Sequence, residues 1–295
     1  MERAPLEEVR YESPTTIAHA AQLLGEPGAR VLAGGTDLIV QMRTGRTAPR
    51  VFVDVKRIPE LCRIHLDASK LWLGAAVPAA LVVENRDANE LFPGLVEAVD
   101  LIGSTQIQGR ASVGGNLCNS SPAADTVPAL IAIGAVCVIA GPEGERRVPV
   151  ESFNSAPGRN VLGAGELLVG FEIPRPPART ADAYLRFIPR TEMDIAVVGA
   201  GVSVTLDASG VCTHARVVLG AVAPTAFLVP AAASALVGSR GEDAALARAA
   251  AASSEAARPI DDKRGTIVYR RKVSGVLTKR AAAAAFERAR GARTR

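Results

Sequence analysis

Two glycine pairs, about eighty residues apart, are the stretches of this 295-residue chain whose residue types could do chemistry. The first lies in Arg30–Arg43, RVLAGGTDLIVQMR, and the second in Gly109–Asp125, GRASVGGNLCNSSPAAD. Each follows a short β-branched or aliphatic run. A Gly-Gly pair, Gly34-Gly35 or Gly114-Gly115, lets the backbone adopt positive φ and approach a ligand with no side chain in between. Small hydroxyl and amide residues come next, Thr36 in the first stretch and Asn116, Asn119, Ser120 and Ser121 in the second. Backbone N–H groups and neutral donors of this kind cradle a diphosphate. Taken singly, either pair also reads as a tight turn and nothing more. The shared order of strand, Gly-Gly and hydroxyl favours anion binding for both.

Reactive constellations are missing elsewhere. Cys62, Cys118, Cys137 and Cys212 lie far apart with no C-x-x-C, which leaves small buried thiols as the plain reading. Three scattered histidines, His19, His65 and His214, speak against a multi-histidine metal site. Gly199-Ala200-Gly201 runs into Val202, Ser203 and Val204, so a G-x-G-x-x-G dinucleotide fingerprint fails at its third glycine.

Several elements must position the two loops. Ser13-Pro14-Thr15-Thr16 caps a helix, IAHAAQLLG, that ends at Gly25 after an opening extended piece. RVLAGGTDL reads as strand, loop and helix, QMRTGRTAPR as a polar connection and Val51–Val55 as a buried strand. Two strands around Asp67-Ala68-Ser69 follow, then helical segments at Ala79–Glu84 and Leu91–Ile102, the latter delivering the chain to the second loop. Asp125–Ala135 is helical, VCVIAGPEGERRVPV a hairpin closed at Pro142-Glu143-Gly144, and LLVGFEIP a strand stopped by Pro174. Arg175-Pro176-Pro177-Ala178-Arg179 is the linker, because consecutive prolines break helix and sheet alike. Beyond it AYLRFIPR, DIAVVGAGVSVTLD and THARVVLGAVAPT alternate as antiparallel strands, with helices at Ala231–Leu236, Asp243–Arg258 and Tyr269–Arg290 to cover them.

The length favours two domains. Hydrophobic residues make up 48% and aromatics 4%, so burial rests on Ala, Val, Leu and Ile. No apolar run approaches the ~20 residues of a membrane span, and MERAPLEEVRYESP has no apolar signal core, from which a cytoplasmic location is expected. The net charge of +4 is uneven. Eleven basic residues against one acid, Glu287, occupy Lys263–Arg295, leaving 23 basic and 29 acidic residues, or −6, before it. Without interleaved aromatics or a nucleic-acid module, this tail is a solvated helix face or a subunit contact.

AGGTDL and SVGGNLCNSSPAAD resemble the two FAD loops of the flavin subunits of molybdenum hydroxylases, the family of xanthine dehydrogenase and aerobic carbon monoxide dehydrogenase. GELLVGFEIP, YLRFIPRTEMDIAVVGAG, VLGAVAPT and PIDDKRGTIVYRRKVSGVLTKRA continue the resemblance in order over nearly the whole chain. AGGTDL is slightly more like the xanthine dehydrogenase loops. The resemblance implies an α+β fold: a PCMH-type FAD-binding domain over residues 1–176, with subdomains of about 1–57 and 58–176, and a smaller α+β domain over 177–295 with an antiparallel sheet and covering helices. It also implies FAD here, a small iron–sulfur subunit with 2Fe–2S clusters and a large molybdopterin subunit as partners in a dimer of heterotrimers, and NAD+, a quinone or oxygen as electron acceptor. With no histidine near the first loop, the FAD is expected to be non-covalent. A self-contained FAD oxidoreductase with its own substrate domain, like the enolpyruvyl reductases of cell-wall synthesis, is the alternative, although residues 178–295 offer it no acid–base pair. A third class, a non-enzymatic scaffold or nucleic-acid protein, predicts a colourless chain.

Carried over residue by residue, the resemblance makes Val31, Leu32, Ala33, Gly34, Gly35, Thr36, Asp37 and Leu38 the wrap around the diphosphate. Asp37, repelled by phosphate, is expected to point away and bond the following N–H groups. Ser112, Gly114, Gly115, Asn116 and Asn119 form the second wrap, and Ile102 joins the cofactor-binding set. Asp125 accepts from ribityl or ribose hydroxyls, or else caps the helix that follows. Leu167 and Leu168 lie along the isoalloxazine. Arg186 sits near the ring, where a cation favours reduced, anionic flavin, or else pairs on the surface. Tyr184 and Tyr269 cover a ring face or fill the core. Arg190, Glu192 and Asp194 are structural pairs at the interdomain edge. Tyr184–Thr205 and Lys263–Arg280 are the candidate docking segments, with Arg270, Arg271 and Lys272 the charges to reverse.

Overall fold

The computed structural model describes residues 9–191 and 193–291. Its first unit contains β1 (Arg10–Glu12), α1 (Ile17–Leu24), β2 (Ala29–Leu32), α2 (Leu38–Arg43) and β3 (Val51–Asp54). The three strands are parallel in the order β1-β3-β2, and the helices supply the crossovers that parallel neighbours need. Thr16 Oγ1 caps α1 by accepting from the His19 amide, as its hydroxyl predicts. QMR belongs to α2 and not to a connection, so the helix begins immediately after the first glycine pair.

The second unit runs through β4 (Ile64–Leu66), β5 (Lys70–Gly74), α3 (Ala79–Glu84), α4 (Arg86–Leu91), α5 (Pro93–Asp100), α6 (Thr105–Gln108), α7 (Val113–Cys118) and α8 (Thr126–Ala132). It closes with β6 (Val136–Gly141), β7 (Gly144–Pro149), the short pair β8 (Asn154–Ala156) and β9 (Arg159–Asn160), and β10 (Leu167–Pro174). The main sheet is antiparallel in the order β4-β5-β10-β6-β7. The segment expected as one helix over Leu91–Ile102 is broken at Phe92-Pro93, where proline starts α5 as its first residue. Gly114-Gly115 does not interrupt a strand either: both glycines lie in the first turn of α7.

After the linker come β11 (Thr180–Phe187), β12 (Val198–Leu206), β13 (Cys212–Gly220), β14 (Phe227–Leu228), α9 (Pro230–Leu236), α10 (Asp243–Ala256) and α11 (Ile267–Ala289). The four strands pair antiparallel in sequence order. α11 and α9 cover one face, with α10 packed behind them, and α5 and α8 of the second unit take the other. Every residue of α8 is buried. Glycine makes that approach possible, since a Cβ on Gly201 would lie 2.7 Å from the Pro128 carbonyl oxygen. Tyr184 and Val218 therefore belong to the same apolar core as Leu95 and Leu130. Among the described residues, no helix is long and apolar enough to cross a membrane.

Candidate functional site

Both glycine stretches open onto one cleft of about 1090 Å³ between the first and second units. At the first stretch, β2 ends at Leu32, and Gly35 turns the chain with φ +75°, a region in which glycine carries no Cβ penalty. Gly34 has a different task. A Cβ on it would lie 2.0 Å from the Arg110 carbonyl oxygen, so the first loop is pressed against the segment leading into α7. Lys56 Nζ donates to the Ala33 carbonyl oxygen at 2.9 Å and pairs with Asp54 at 2.7 Å, while the Tyr11 hydroxyl donates to the other Asp54 oxygen. Burial pushes the Asp54 carboxyl up, but the bonds from Lys56 and Tyr11 outweigh it and hold the group low. Neither Lys56 nor Tyr11 is singled out by local sequence pattern, because their partners come from other strands.

The second stretch repeats this division of labour. A Cβ on Gly114 would lie 2.4 Å from the Ala75 carbonyl oxygen, whereas one on Gly115 would meet only Ser112 Oγ, at 3.2 Å. Ser112 Oγ accepts from the Gly115 amide at 3.1 Å, so this amide is committed to capping α7. The Asn116 side-chain oxygen accepts from Thr126 Oγ1 at 2.7 Å. Asn119 ties the two stretches together: its Nδ2 donates to Asp37 at 3.2 Å and its Oδ1 accepts from Gln41 Nε2 at 2.9 Å. Asp37 thus occupies the cap position of α2 without a side-chain cap bond, contrary to the expectation that it would bond the following amides. A neutral amide across the cleft supplies its donor instead.

Of the expected site residues, Val31, Ala33, Gly34, Gly35, Thr36, Asp37, Leu38, Ile102, Ser112, Gly114, Gly115, Asn116, Asn119, Asp125, Leu168 and Arg186 line the cleft. Leu32 and Leu167 do not. Strand side chains alternate between faces, so Val31 and Ala33 face the cleft while Leu32 tucks under Gly35, and Leu168 faces it while Leu167 packs into the core of the first unit. Lining residues that local pattern missed include Gly163–Glu166, where Arg146 grips Glu166 at 2.6 and 2.7 Å and the Gly163 amide donates to it at 2.6 Å. Met193, Asp194 and Ile195 also line the cleft, on a stretch expected to begin β12, which starts only at Val198. Asp194 pairs with Arg190 at 3.2 Å and Arg264 at 3.4 Å, and Glu192 lies outside the described residues.

Asp125 does not cap α8. It is buried, and its carboxylate accepts from the Tyr184 hydroxyl at 2.8 Å and from Arg186 Nη1 at 2.7 Å. Burial raises this carboxyl, while Arg186 and the Tyr184 hydroxyl oppose the rise. Arg186 is therefore an interior ion-pair partner and not a surface arginine. Tyr184 fills the core, and Tyr269 lies outside the cleft, edge-on to Phe187 with centroids 5.8 Å apart. Burial pushes the Cys118 thiol up to about 12, which removes it as a nucleophile. Among the described residues, no group of His, Cys, Asp and Glu could hold a metal ion. The arrangement suits an extended molecule with a polar middle near the glycine stretches and an apolar body near Ile102, Leu168 and Ile195.

Residues 7–176 match the FAD binding domain in molybdopterin dehydrogenase, and residues 183–285 match the CO dehydrogenase flavoprotein C-terminal domain. The carbon monoxide dehydrogenase medium chain of Hydrogenophaga pseudoflava is 31% identical over 94% of this chain and 97% of its own length. The xanthine dehydrogenase FAD-binding subunit of Escherichia coli O157:H7 is 33% identical over 73% of this chain and 74% of its own. A solved carbon monoxide dehydrogenase from Hydrogenophaga pseudoflava superposes with a TM-score of 0.91 at 31% identity, covering 97% of this chain and 99% of that one.

Proposed function

The chain belongs to the FAD-binding subunits of the molybdopterin dehydrogenases, the family of carbon monoxide and xanthine dehydrogenases, and from that premise we propose that it is the flavin relay of a heteromeric molybdenum hydroxylase. In this reading a small subunit carrying 2Fe–2S clusters delivers electrons that originate at molybdopterin on a large subunit, and NAD+, a quinone or oxygen removes them. We read residues 1–176 as the flavin domain and 177–295 as the C-terminal domain, in a dimer of heterotrimers. FAD supplies the electron-transfer chemistry, so the chain has only to bind, orient and tune it.

The observation that carries this reading is the cleft itself. Two glycine stretches converge on it, apolar Ile102 and Leu168 share its lining, and its ionisable lining is already committed to protein partners at Asp37, Asp125, Glu166 and Asp194. Val31, Ala33 and Thr36 on one side and Asn116 on the other would hold the diphosphate, with Gly115 leaving room for its approach and Ile102 and Leu168 against the ring. No histidine lines the cleft among the described residues, in keeping with non-covalent binding.

The self-contained alternative needs a substrate surface in the C-terminal domain, yet α9 and α11 cover one face of its sheet and α5 and α8 the other. Purification from the native host decides between the two. The expected result is a yellow chain that releases all its colour as FAD on acid precipitation and co-purifies with iron–sulfur and molybdopterin polypeptides. A chain that oxidises an organic substrate unaided would overturn the relay reading.

A further inference from the structure

The apolar end of the cleft contains one buried assembly that the flavin relay, as described, does not require. Tyr184 and Arg186 are two residues apart on β11, so their side chains share a face, and both reach Asp125 at the head of α8. Gly199 on β12 makes room for the phenol, since a Cβ there would lie 2.5 Å from its oxygen. The Arg186 side chain is 7% exposed, and its Nη1 donates both to Asp125 and to the Leu101 carbonyl oxygen at 2.9 Å. Arg186 lines the cleft, and its Nε–H is buried with no partner among the described residues. Tyr184 itself is 2% exposed and does not line the cleft.

We propose that Tyr184 is a positioning residue that keeps Asp125 as the counter-ion of Arg186, so that a ring bound beside Arg186 faces a neutralised pair and not a free cation. The inference rests on the flavin reading above and changes what Arg186 does within it. An isolated cation beside the ring stabilises its electron-rich form, whereas a paired one biases it far less. The phenol adds to the balance between these, because burial drives Asp125 toward protonation and the Arg186 charge, then the Tyr184 hydroxyl, oppose it, while the 2.8 Å bond from Tyr184 holds the carboxylate in place. Neighbouring charged groups have partners away from this assembly, although Asp182 Oδ1 is left without one among the described residues. Glu97 on α5 accepts the Tyr184 amide at 2.9 Å and pairs with Arg288, Asp182 on β11 accepts the Leu95 amide at 3.0 Å, and Asp194 is held by Arg190 and Arg264.

The test is potentiometric titration of the FAD-loaded complex, from roughly pH 6 to pH 8 so as to bracket neutrality. Asp125→Asn should raise the flavin midpoint at every pH by about 30 mV or more, a tenfold preference for the reduced form in a two-electron couple. Tyr184→Phe keeps the ring in its pocket but removes the donor, so Asp125 takes up a proton at higher pH. Its midpoint should match the parent's at the alkaline end and rise above it at the acid end. Combining Tyr184→Phe with Arg186→Gln should abolish that rise, because no cation is left to uncover. A Tyr184→Phe complex with parental midpoints throughout, or a rise that survives Arg186→Gln, overturns the proposal. If the parent chain binds no FAD, the flavin reading fails first and separately.

Discussion

At the residue scale, the two glycines of each pair divide between packing and cleft. Gly34 and Gly114 are crowded by protein backbone, whereas Gly115 has only a hydroxyl nearby. Gly34→Ala is therefore expected to lower the melting temperature of the FAD-free chain, because a Cβ 2.0 Å from a carbonyl oxygen forces the first loop off the second. Gly115→Ala should leave FAD-free stability within about 0.5 kcal/mol while weakening FAD, since only the ligand side feels the added methyl. Melting curves and flavin titrations on the same two proteins check both. Lys56→Met withdraws the donor from the Ala33 carbonyl and the cation from Asp54, and should cost roughly 1–3 kcal/mol of stability together with weaker FAD binding. Asp125→Ala is predicted to be more damaging than loss of a helix cap. It leaves the Arg186 guanidinium buried and unpaired, at about 3–5 kcal/mol, measurable by denaturant unfolding.

Element packing places a second buried carboxyl where α5 meets β11. Asp182 Oδ2 accepts the Leu95 amide, its Oδ1 has no partner, and a Cβ on Gly94 would lie 2.7 Å from Ala183. Burial pushes Asp182 up to about 7; the Gly94 and Leu95 amides and Arg288 pull it down, and Glu97 adds to the rise. The unfolded value is ~3.9, so the folded chain holds a proton that the unfolded chain has lost. The resulting stability is fully present below pH ~4 and disappears as pH rises through about 7. Asp182→Asn should remove this slope. Its unfolding free energy relative to the parent should climb between those two pH values and level off above them, as chemical denaturation across the range would show. A variant that follows the parent at every pH would mean that Asp182 stays charged in the folded chain.

For the whole molecule, one apolar core runs across the proline-rich stretch 175–179, joining Tyr184 and Val218 to Leu95 and Leu130. α8 sits inside both halves, so the C-terminal sheet supports the floor of the cleft through Tyr184 and Arg186. This placement narrows both candidate docking segments. Within Tyr184–Thr205 the stretch 196–202 is buried while Met193 and Ile195 are exposed, and within Lys263–Arg280 Arg270 is 3% exposed, bonded to the Val197 carbonyl at 3.0 Å and to Asp262 at 2.5 Å. Reversing Arg270 would break the fold and say nothing about assembly. Val268, Lys272, Val276 and Arg280 instead form an exposed stripe on α11, one turn apart from each other. Lys272→Glu with Arg280→Glu is expected to leave FAD content unchanged and to weaken capture of the partner subunits, increasingly so at low salt.

Local pattern in the sequence was enough to locate both glycine stretches and most of the strands, because each depends on residues within a turn or a strand of one another. Residue-by-residue likeness to the family then named residues of which all but Leu32 and Leu167 line the cleft. Pattern did not separate Leu167 from Leu168 or Leu32 from its neighbours, since which side of an apolar strand meets a cavity depends on what packs against it. It also did not reveal why glycine occurs where it does: the atoms excluding a side chain at Gly34 and Gly114 belong to Arg110 and Ala75, residues distant in the chain. The ion pair at the cleft floor joins groups 61 residues apart, and the phenol bond that steadies it spans 59. Such contacts form only when α8 is buried between the C-terminal sheet and the helices α5 and α7, and burial then gives them their strength by removing the water that would otherwise screen Asp125 from Arg186.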